Sequence, residues 1–381
     1  MQRSVMIVSS EFDGGNIECI DASDPRNVQL VIRTDHLSDF YQWFYFRVAN
    51  IKNVDCRYLI GNAGGAAYIK GWESYSAVAS YDREHWFRVD TTFADERLAI
   101  EHKSTQDQIY FAYFAPYPME RHADLIAFAQ TSERCRAETL GLSLDGQSID
   151  CLRFGEPGDA KKSIWMVARQ HPGETMAEWW MEGLVHRLLD DKNPVVRTLL
   201  DKAVFYLVPN MNPDGSRRGH LRTNAVGTNL NREWHAPSLD KSPEVYCVLA
   251  KMKTTGLDFG LDVHGDESLP YNFIAGTEGI PSWNETRQQK LDLYKQTLAR
   301  INPDFQTIHG YPPNSAGMAN MSYCSNALAE YFACPVMTLE MPFKDAIDTP
   351  DSDQGWSPER SIGLANSCLD ALHLCWNDLV G

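Results

Sequence analysis

The strongest constraint on the fold is a regular alternation in the second part of the chain. Four apolar runs typical of buried strands, KKSIWMVARQ, KAVFYLVPN, LDFGLDVHG and PVMTLEMP, are separated by segments of helical periodicity. The clearest of these helical patterns, Thr175–Asp191, directly follows the first run. Buried strands alternating with helices predict an α/β domain with a mostly parallel, mixed sheet and helices on both faces.

The first third of the chain has a different character. Short runs rich in aromatic and β-branched residues, such as QWFYFRVAN and QIYFAYFAP, are separated by Gly, Asn and Asp clusters, and no amphipathic helix is evident before about residue 120. This spacing predicts an all-β antiparallel sandwich. We therefore expect a β-sandwich domain at 1–118 and a catalytic α/β domain at 119–381, joined within the proline-containing segment APYPMERH.

Composition excludes several classes of protein. The net charge of -16 argues against nucleic acid as a partner, and no apolar run reaches the length of a membrane helix. The N-terminus lacks the apolar region of a signal peptide. Nine cysteines without a C-x-x-C motif favour a reducing compartment, so we expect a cytoplasmic protein.

The ends of the predicted strands carry a possible metal site. His171 and Glu174 follow the first strand, His264 ends the third, and Glu340 lies near the end of the fourth. Ligands of open α/β sheets bind at the carboxyl ends of the strands, so these four side chains should converge. Two histidines and one carboxylate leave a zinc coordination position open, which is typical of catalytic sites, and a second carboxylate can accept a proton.

Each of these residues also has a simpler interpretation. A single H-x-x-E occurs by chance in many proteins, His264 could be a hydrogen-bonded strand-end histidine, and Glu340 could be an ordinary paired glutamate. Their joint occurrence at strand ends favours the metal site.

The segment GSRRGHLRTNAVGTNLNREW is locally basic in an acidic chain. It contains Arg217, Arg218, Arg222 and Arg232, with no acid between Gly215 and Arg232. Arginine binds carboxylates through two parallel hydrogen bonds, so this segment predicts an anionic substrate group. The alternative is a solvated basic loop.

At this point the motifs resemble a known family. HPGET, NPDG, RTNAVGTNLNREW, DVHG and TLEMPF occur in the order found in zinc metallocarboxypeptidases similar to carboxypeptidase A. YQWFYFRVAN and FAPYPMERHADL resemble the β domain and junction of the cytosolic carboxypeptidase branch. The resemblance covers nearly the whole chain. It implies an enzyme that hydrolyses the C-terminal residue of peptide or protein tails, including glutamate from acidic tails, with one Zn²⁺ per chain.

The resemblance also implies a role for individual residues. His171, Glu174 and His264 match the zinc ligands, and Glu340 matches the general base that acts on a zinc-bound water. Arg222 matches the arginine that polarises the scissile carbonyl, and Asn231 with Arg232 matches the pair that holds the substrate's terminal carboxylate. The mobile tyrosine of the family corresponds to Tyr311, with Tyr323 as the second choice.

The sequence departs from the family at two points. Asn229 stands where relatives often have an aspartate, which affects groups around the ligands rather than the ligands themselves. Asp266 and Glu267 follow the third ligand closely, and we interpret them as outer or solvent-facing residues, with weak binding of a second cation as the alternative.

Other functions compete with the carboxypeptidase interpretation. Aspartoacylase-like and succinylglutamate desuccinylase-like zinc amidohydrolases use a similar site on small N-acyl amino acids, and peptidoglycan-peptide carboxypeptidases are a further rival. A binding module with a vestigial zinc site is the rival from another class, although Glu340 argues against it. For the cleaved residue, we expect Arg217 and Arg218 to favour glutamate; if they face solvent, an apolar or small pocket sets the preference.

Overall fold

A computed structural model describes residues 5–381. The chain begins with two five-stranded sheets that form a β domain. Its strands are β1 (Ile7–Ser9), β2 (Glu18–Asp21), β3 (Val28–Val31), β4 (Tyr45–Ala49), β5 (Asp55–Ile60), β6 (Val78–Ser80), β7 (Phe87–Arg88), β8 (Asp90–Ala94), β9 (Arg97–Lys103) and β10 (Gln108–Ala112).

The two sheets of the β domain pack through aromatic side chains. One sheet has the order β1-β4-β10-β6-β7 and the other β2-β3-β5-β9-β8. Tyr58 of the second sheet contacts Phe46 and Phe111 of the first, with ring centroids 5.9 and 4.8 Å apart. The predicted antiparallel sandwich is confirmed, with one exception: β3 and β5 pair in parallel.

The second domain is built around a seven-stranded mixed sheet. Its strands are β11 (Cys135–Leu142), β12 (Ser148–Phe154), β13 (Lys162–Ala168), β14 (Ala203–Val208), β15 (Phe259–Asp266), β16 (Phe273–Ala275) and β17 (Val336–Pro342). The α-helices of the described chain are α1 (Met119–Ala129), α2 (Met176–Leu189), α3 (Pro194–Lys202), α4 (Pro213–Arg218), α5 (Pro243–Thr255), α6 (Glu285–Ile301), α7 (Cys324–Phe332), α8 (Pro358–Leu374) and α9 (Trp376–Leu379).

The four strands expected from the sequence form the parallel centre of this sheet. The order is β11-β12-β14-β13-β15-β17-β16, and β14, β13, β15 and β17 run parallel to one another. The other three strands, which the sequence analysis did not identify, pair in antiparallel fashion at the two edges. The predicted α/β domain is thus confirmed.

Residues alternate between two apolar cores on the two faces of the central sheet. In β13, Ile164 and Met166 belong to the core that contains α2 and α8, whereas Trp165 and Val167 belong to the core that contains α5 and α7. This alternation follows from the two-residue period of a strand. Helices α2 and α8 pack closely at Gly183, where a Cβ atom would lie 2.8 Å from the Cα atom of Ile362.

The β domain and the α/β domain share one apolar core. The Tyr113 ring stacks on Phe343, with centroids 4.6 Å apart, and the Arg88 guanidinium donates to the carbonyls of Phe343 and Trp356. Strand β10 ends at Ala112 and α1 begins at Met119. The exact division at residues 118 and 119 stays a prediction. In residues 5–381, no helix combines the length and apolar character needed to cross a membrane.

Candidate active site

Sheet register brings the candidate site together at the carboxyl ends of the parallel strands. His264 in β15 lies directly opposite Glu340 in β17. The segment with His171 and Glu174 follows β13, which pairs with the other side of β15. The predicted convergence of these four side chains is therefore present in the structure.

The turn after β13 is held by Arg169, which has a left-handed backbone conformation with φ of 57°. Such a conformation is uncommon for a residue other than glycine and is often found at functional sites. The buried guanidinium donates to the carbonyl of Pro172 at 2.9 Å, to that of Tyr117 at 2.6 Å, and to Glu178 at 2.6 Å. These contacts fix the turn that carries His171 and Glu174.

The side chains of His171, Glu174 and His264 form a buried donor set suited to a metal ion. One ligand atom from each lies within 4.8 Å of the others. His171 Nδ1 is 2.7 Å from Glu174 Oε1, and His264 Nδ1 is 2.8 Å from Glu174 Oε2. Two imidazole nitrogens and a carboxylate are the ligands of many catalytic zinc sites.

The outer nitrogen of each histidine has its own acceptor. His171 Nε2 lies 3.1 Å from Asn229 Oδ1, and His264 Nε2 lies 2.9 Å from Asp262 Oδ2. Asp262 in turn accepts two bonds of 2.8 Å from the amide of Gln170. Such outer contacts fix ring orientation and tautomer in metal sites. Asn229 therefore orients His171 even though it departs from the aspartate of the family pattern.

Electrostatics at two of the three side chains also fit a cation. Burial disfavours the charged form of the third, His264, but Asp262 and Glu174 outweigh burial and raise its pKa. Burial, assisted by the charge of Arg222, lowers the pKa of His171 to about 4, so this imidazole is neutral as a ligand must be. Burial acts to raise the pKa of Glu174, but the two histidines outweigh it and hold the pKa below its usual value. The residues present therefore fit zinc.

The three side chains open into a cavity of about 410 Å³, which we call the active-site cavity. Every residue that the family resemblance matched to a zinc-binding, catalytic or carboxylate-binding role lines it. Its wall includes residues from both domains and from the segment between α6 and α7: Tyr68, His171, Glu174, Arg222, Asn231, Arg232, His264, Glu278, Lys295, Tyr311, Tyr323 and Glu340.

Glu340 lies in this cavity as a buried carboxylate. Its Oε2 atom has no hydrogen-bond partner among the described residues. Burial raises the pKa of Glu340 well above its usual value, and His264 opposes this only in part. The Tyr311 hydroxyl donates to Asp266 at 2.5 Å and lies 3.5 Å from Glu340 Oε1. A carboxylate with a free oxygen and an increased affinity for protons is suited to proton transfer.

Arginine side chains occupy two further positions in the wall. The Arg222 guanidinium contacts the rings of Phe40 and Tyr68, 5.6 and 5.5 Å from their centroids. The Arg232 guanidinium lies 3.9 Å from the centroid of the Tyr323 ring and donates to the Asn231 carbonyl. Both cations are therefore held in place by aromatic faces and face the same cavity.

The expectation for Arg217 and Arg218 is wrong. Neither residue lines the active-site cavity. Arg218 forms an ion pair of 2.7 Å with Asp145 on the surface of the α/β domain, and Arg217 is exposed. Both residues lie in the last turn of the short helix α4 and are exposed, so closeness in sequence to Arg222 did not indicate closeness in space.

Sequence reasoning missed several residues of the site. Lys295 in α6, Glu278 and Tyr68 of the β domain line the cavity, and Phe40 of the β domain contacts Arg222. No short motif surrounds any of them. Asp262 was also missed, but it could have been found from the sequence. It lies two residues before His264 and therefore on the same face of a buried strand.

Comparison with known proteins agrees with this geometry. Residues 8–114 match the family model of the cytosolic carboxypeptidase N-terminal domain, and residues 122–272 match that of zinc carboxypeptidase. A metallo-carboxypeptidase structure from Burkholderia cenocepacia is 43% identical, with a TM-score of 0.95 over 98% of this chain and 99% of that one. The chain belongs to the zinc carboxypeptidase family.

Two further relatives of this zinc carboxypeptidase are informative. A metallo-carboxypeptidase from Pseudomonas aeruginosa, solved with (2-guanidinoethylmercapto)succinic acid, is 41% identical, with a TM-score of 0.94 over 98% of this chain and 99% of that one. Mouse cytosolic carboxypeptidase 6 is 27% identical over 77% of this chain. The chain spans only 59% of the length of that mouse protein.

Membership of the family determines the general activity. The protein is a zinc-dependent metallopeptidase of the carboxypeptidase type, and its substrates are peptides or proteins. The aspartoacylase-like alternative is not favoured, because the matches are to carboxypeptidases in both domains.

Proposed function

We propose that this carboxypeptidase removes glutamate from the C-terminal tails of peptides or proteins. The observation that carries this proposal is Lys295, which lines the active-site cavity and forms no ion pair with a carboxylate of the described chain. A free cation in a partly buried wall favours an anionic side chain of the substrate. Lys295 takes over the role that the sequence analysis gave to Arg217 and Arg218.

Several polar side chains of the cavity wall are consistent with a polar terminal residue, although Ile274, Ala275, Pro312 and Pro313 add apolar surface. Ser325, Asn326 and Thr338 line the cavity, and the first and last of these are hydrogen-bonded to each other at 3.0 Å. A wall of hydroxyl and amide groups does not favour leucine or phenylalanine, whose burial would leave these groups without partners.

In the proposed mechanism, the two arginines bind different parts of the substrate. Arg232 and Asn231 hold the free α-carboxylate of the terminal residue, which selects the last peptide bond because an internal bond has no such group. Arg222 donates to the carbonyl oxygen of that bond, where negative charge develops during attack by water. Preorganised donors of this kind commonly provide the largest part of catalysis.

His171, Glu174 and His264 would hold the zinc ion, which supplies Lewis acidity and lowers the pKa of a water ligand. Glu340 takes a proton from the attacking water on its unpartnered Oε2 atom. As the carbon–nitrogen bond breaks, Glu340 gives this proton to the leaving amine. The raised pKa of Glu340 suits a group that must carry a proton between two partners. Tyr311, beside Glu340, remains our choice for the mobile tyrosine.

We also propose a cytoplasmic location. All nine cysteines are free, and eight of them are at least partly buried, which is consistent with a reducing compartment. The N-terminal family model is that of cytosolic carboxypeptidases. Fractionation of cells with compartment-specific markers tests this location.

The substrate preference is tested with peptides that differ only in the last residue. We expect kcat/KM for glutamate to exceed that for leucine or lysine by about tenfold or more, as one desolvated charge pair provides. In Lys295→Met this preference should be lost while zinc content is unchanged. Glu278→Gln, which changes the opposite charge in the same wall, is the matched control and should retain the preference.

Glu278 also allows the opposite substrate preference to be tested. A preference for lysine or arginine that disappears in Glu278→Gln would contradict the glutamate proposal and indicate a basic terminal residue. The guanidino group carried by the ligand of the Pseudomonas aeruginosa relative makes this the main rival. Either preference, for glutamate or for a basic residue, would leave the assignment of carboxypeptidase activity unchanged.

A further inference from the structure

Asp35 of the β domain makes an unusual set of contacts with the α/β domain. The residue is 1% exposed and lies in the segment after β3. Its Oδ1 atom accepts the backbone N–H of Leu221 at 2.6 Å. Its Oδ2 atom accepts the N–H groups of Arg222 and Thr223 at 2.8 and 2.9 Å, and the Thr223 hydroxyl at 3.0 Å.

Three successive N–H groups thus converge on one buried carboxylate. Such an arrangement binds an anion strongly because each bond is charge-assisted and the donors are fixed by the backbone. The middle residue of the three is Arg222. The carboxylate of Asp35 therefore sets the position of the main chain from which the Arg222 side chain extends.

The segment that carries Asp35 is itself well ordered by local hydrogen bonds. The Asp35 N–H donates to the Phe40 carbonyl at 2.8 Å, and the Ser38 N–H donates to the Asp35 carbonyl at 3.2 Å. The same turn supplies the Phe40 ring, which contacts the Arg222 guanidinium, and Tyr68 of the β domain contacts it as well. The β domain therefore fixes both ends of Arg222, its backbone and its guanidinium.

The loop is also connected to the zinc ligands. The Leu221 carbonyl accepts the N–H of Gly173 at 2.9 Å, between His171 and Glu174 in sequence. The Arg222 guanidinium donates no hydrogen bond to another residue of the described chain and lines the active-site cavity. A displacement of residues 221–223 would thus move the guanidinium relative to the metal ligands.

We propose that Asp35 is a positioning residue for catalysis, which acts by holding Arg222 against the substrate carbonyl. This inference rests on the proposed role of Arg222. It assigns the β domain a part in the chemistry of the α/β domain. The alternative is that Asp35 only joins the two domains, in which case its loss would change stability but not the rate of the folded, zinc-loaded enzyme.

The test compares Asp35→Asn with Asp13→Asn in the full-length zinc enzyme. Asp13 is the matched control, because its carboxylate also accepts a backbone N–H of the α/β domain, that of Met119, and it does not line the cavity. Asp35→Asn should lower kcat by about 10- to 100-fold, as loss of one transition-state donor does. The zinc content of Asp35→Asn should not change. Its inhibition by the free terminal amino acid, whose carboxylate Arg232 holds, should also not change. Asp13→Asn should retain kcat.

A double-mutant cycle with Arg222→Met separates positioning from a general structural role. If Asp35 acts through Arg222, Asp35→Asn should change kcat less than about threefold once Arg222 is removed. Additive effects of the two substitutions on kcat would overturn the proposal. An Asp35→Asn enzyme with the wild-type kcat per zinc would also overturn it.

Two further outcomes keep the test decisive. If Asp35→Asn does not fold, Asp35→Glu takes its place, because it keeps the charge but adds a methylene that must displace the loop. In Asp35→Glu, kcat should fall at least about fivefold. A wild-type kcat in this variant would overturn the proposal. A wild-type kcat for Arg222→Met alone would instead contradict the proposed mechanism. A severe loss in Arg222→Met with full activity in Asp35→Asn would contradict only the inference about Asp35.

Discussion

The two domains contribute to one cavity in different ways. The α/β domain supplies its groups from strand ends: His264 and Glu340 face each other across a parallel pair, and His171 and Glu174 follow the neighbouring strand. The β domain contributes through irregular segments between strands, which bring Asp35, Phe40 and Tyr68 to Arg222. Strand ends thus carry the candidate zinc ligands and Glu340, and loops of the β domain restrict where Arg222 can lie.

This difference affects how mutations should act. A group that touches the reacting atoms has no substitute, so its loss should reduce turnover severely. A group that acts through Arg222 changes only the placement of one donor, so its loss should reduce turnover in part.

The largest effect is expected at the metal ligands. The purified protein should contain about one zinc per chain, and the double variant His171→Ala, His264→Ala should lose both zinc and detectable activity. His235→Ala, an exposed histidine of the same domain, is the control and should retain both. Elemental analysis makes the comparison, and an unchanged zinc content in the double variant would show that the ligands lie elsewhere.

The next largest effect is expected for Glu340→Gln. This substitution nearly preserves shape but removes the proton acceptor, so zinc should remain while kcat falls by about three orders of magnitude or more. Glu285→Gln, in the exposed first turn of α6, serves as the control. Steady-state kinetics and zinc analysis of both variants test this prediction. Near-normal turnover with bound zinc in Glu340→Gln would show that the base lies elsewhere, with Glu267 as the next candidate.

A smaller effect is expected for Tyr68, which the β domain contributes to the wall of the active-site cavity. Tyr68→Leu removes one of the two rings beside the Arg222 guanidinium, and we expect kcat/KM to fall by about tenfold through loss of a partly desolvated cation–π contact. Tyr81→Leu, a half-buried tyrosine of the same domain outside the cavity, is the control. Equal losses in the two variants would mean that Tyr68 contributes only to the stability of the β domain.

The smallest effect is expected for the pH dependence of stability that His122 causes in the segment joining the two domains. Burial disfavours the charged form of His122, but Glu178 at 2.6 Å and Asp150 at 3.3 Å outweigh it and raise the pKa of His122 to about 9. The folded state then binds more protons than the unfolded state between the ordinary pKa of histidine and 9. This stabilisation is complete below about pH 6.5 and is lost as the pH rises through 9.

Thermal unfolding across this pH range tests the effect. The Tm of the wild-type protein should fall by a few degrees between pH 6.5 and 9.5, and His122→Gln should remove most of this dependence. Activity per folded molecule should be the same in both. An identical pH dependence of Tm in the variant would mean that other groups account for it.

The comparison of domains also explains what the sequence could predict. The four central strands were recognisable because strands buried on both faces are continuously apolar, and the strand-end positions of the zinc ligands followed from them. Strands β11 and β16 escaped notice for physical reasons: half of the residues of β11 are exposed at the sheet edge, and β16 has only three residues.

Long-range contacts were not predictable from local patterns. Asp35 and Arg222 are 187 residues apart, and no motif near Asp35 indicates four donors from the other domain. The reverse error occurred at Arg217 and Arg218, which are close to Arg222 in sequence but lie outside the cavity. Spacing along the chain is informative within a strand or helix and loses its meaning across an irregular segment.

The most direct test of the central claim compares two peptides of identical sequence, one with a free C-terminal carboxylate and one with a C-terminal amide. The zinc-loaded enzyme should release the last residue of the free peptide, and the amide should reduce kcat/KM by roughly tenfold to a hundredfold or more, because Arg232 and Asn231 lose their charged partner. Mass spectrometry of the products gives the result. Equal cleavage of the two peptides would contradict the assignment of these residues to a terminal carboxylate.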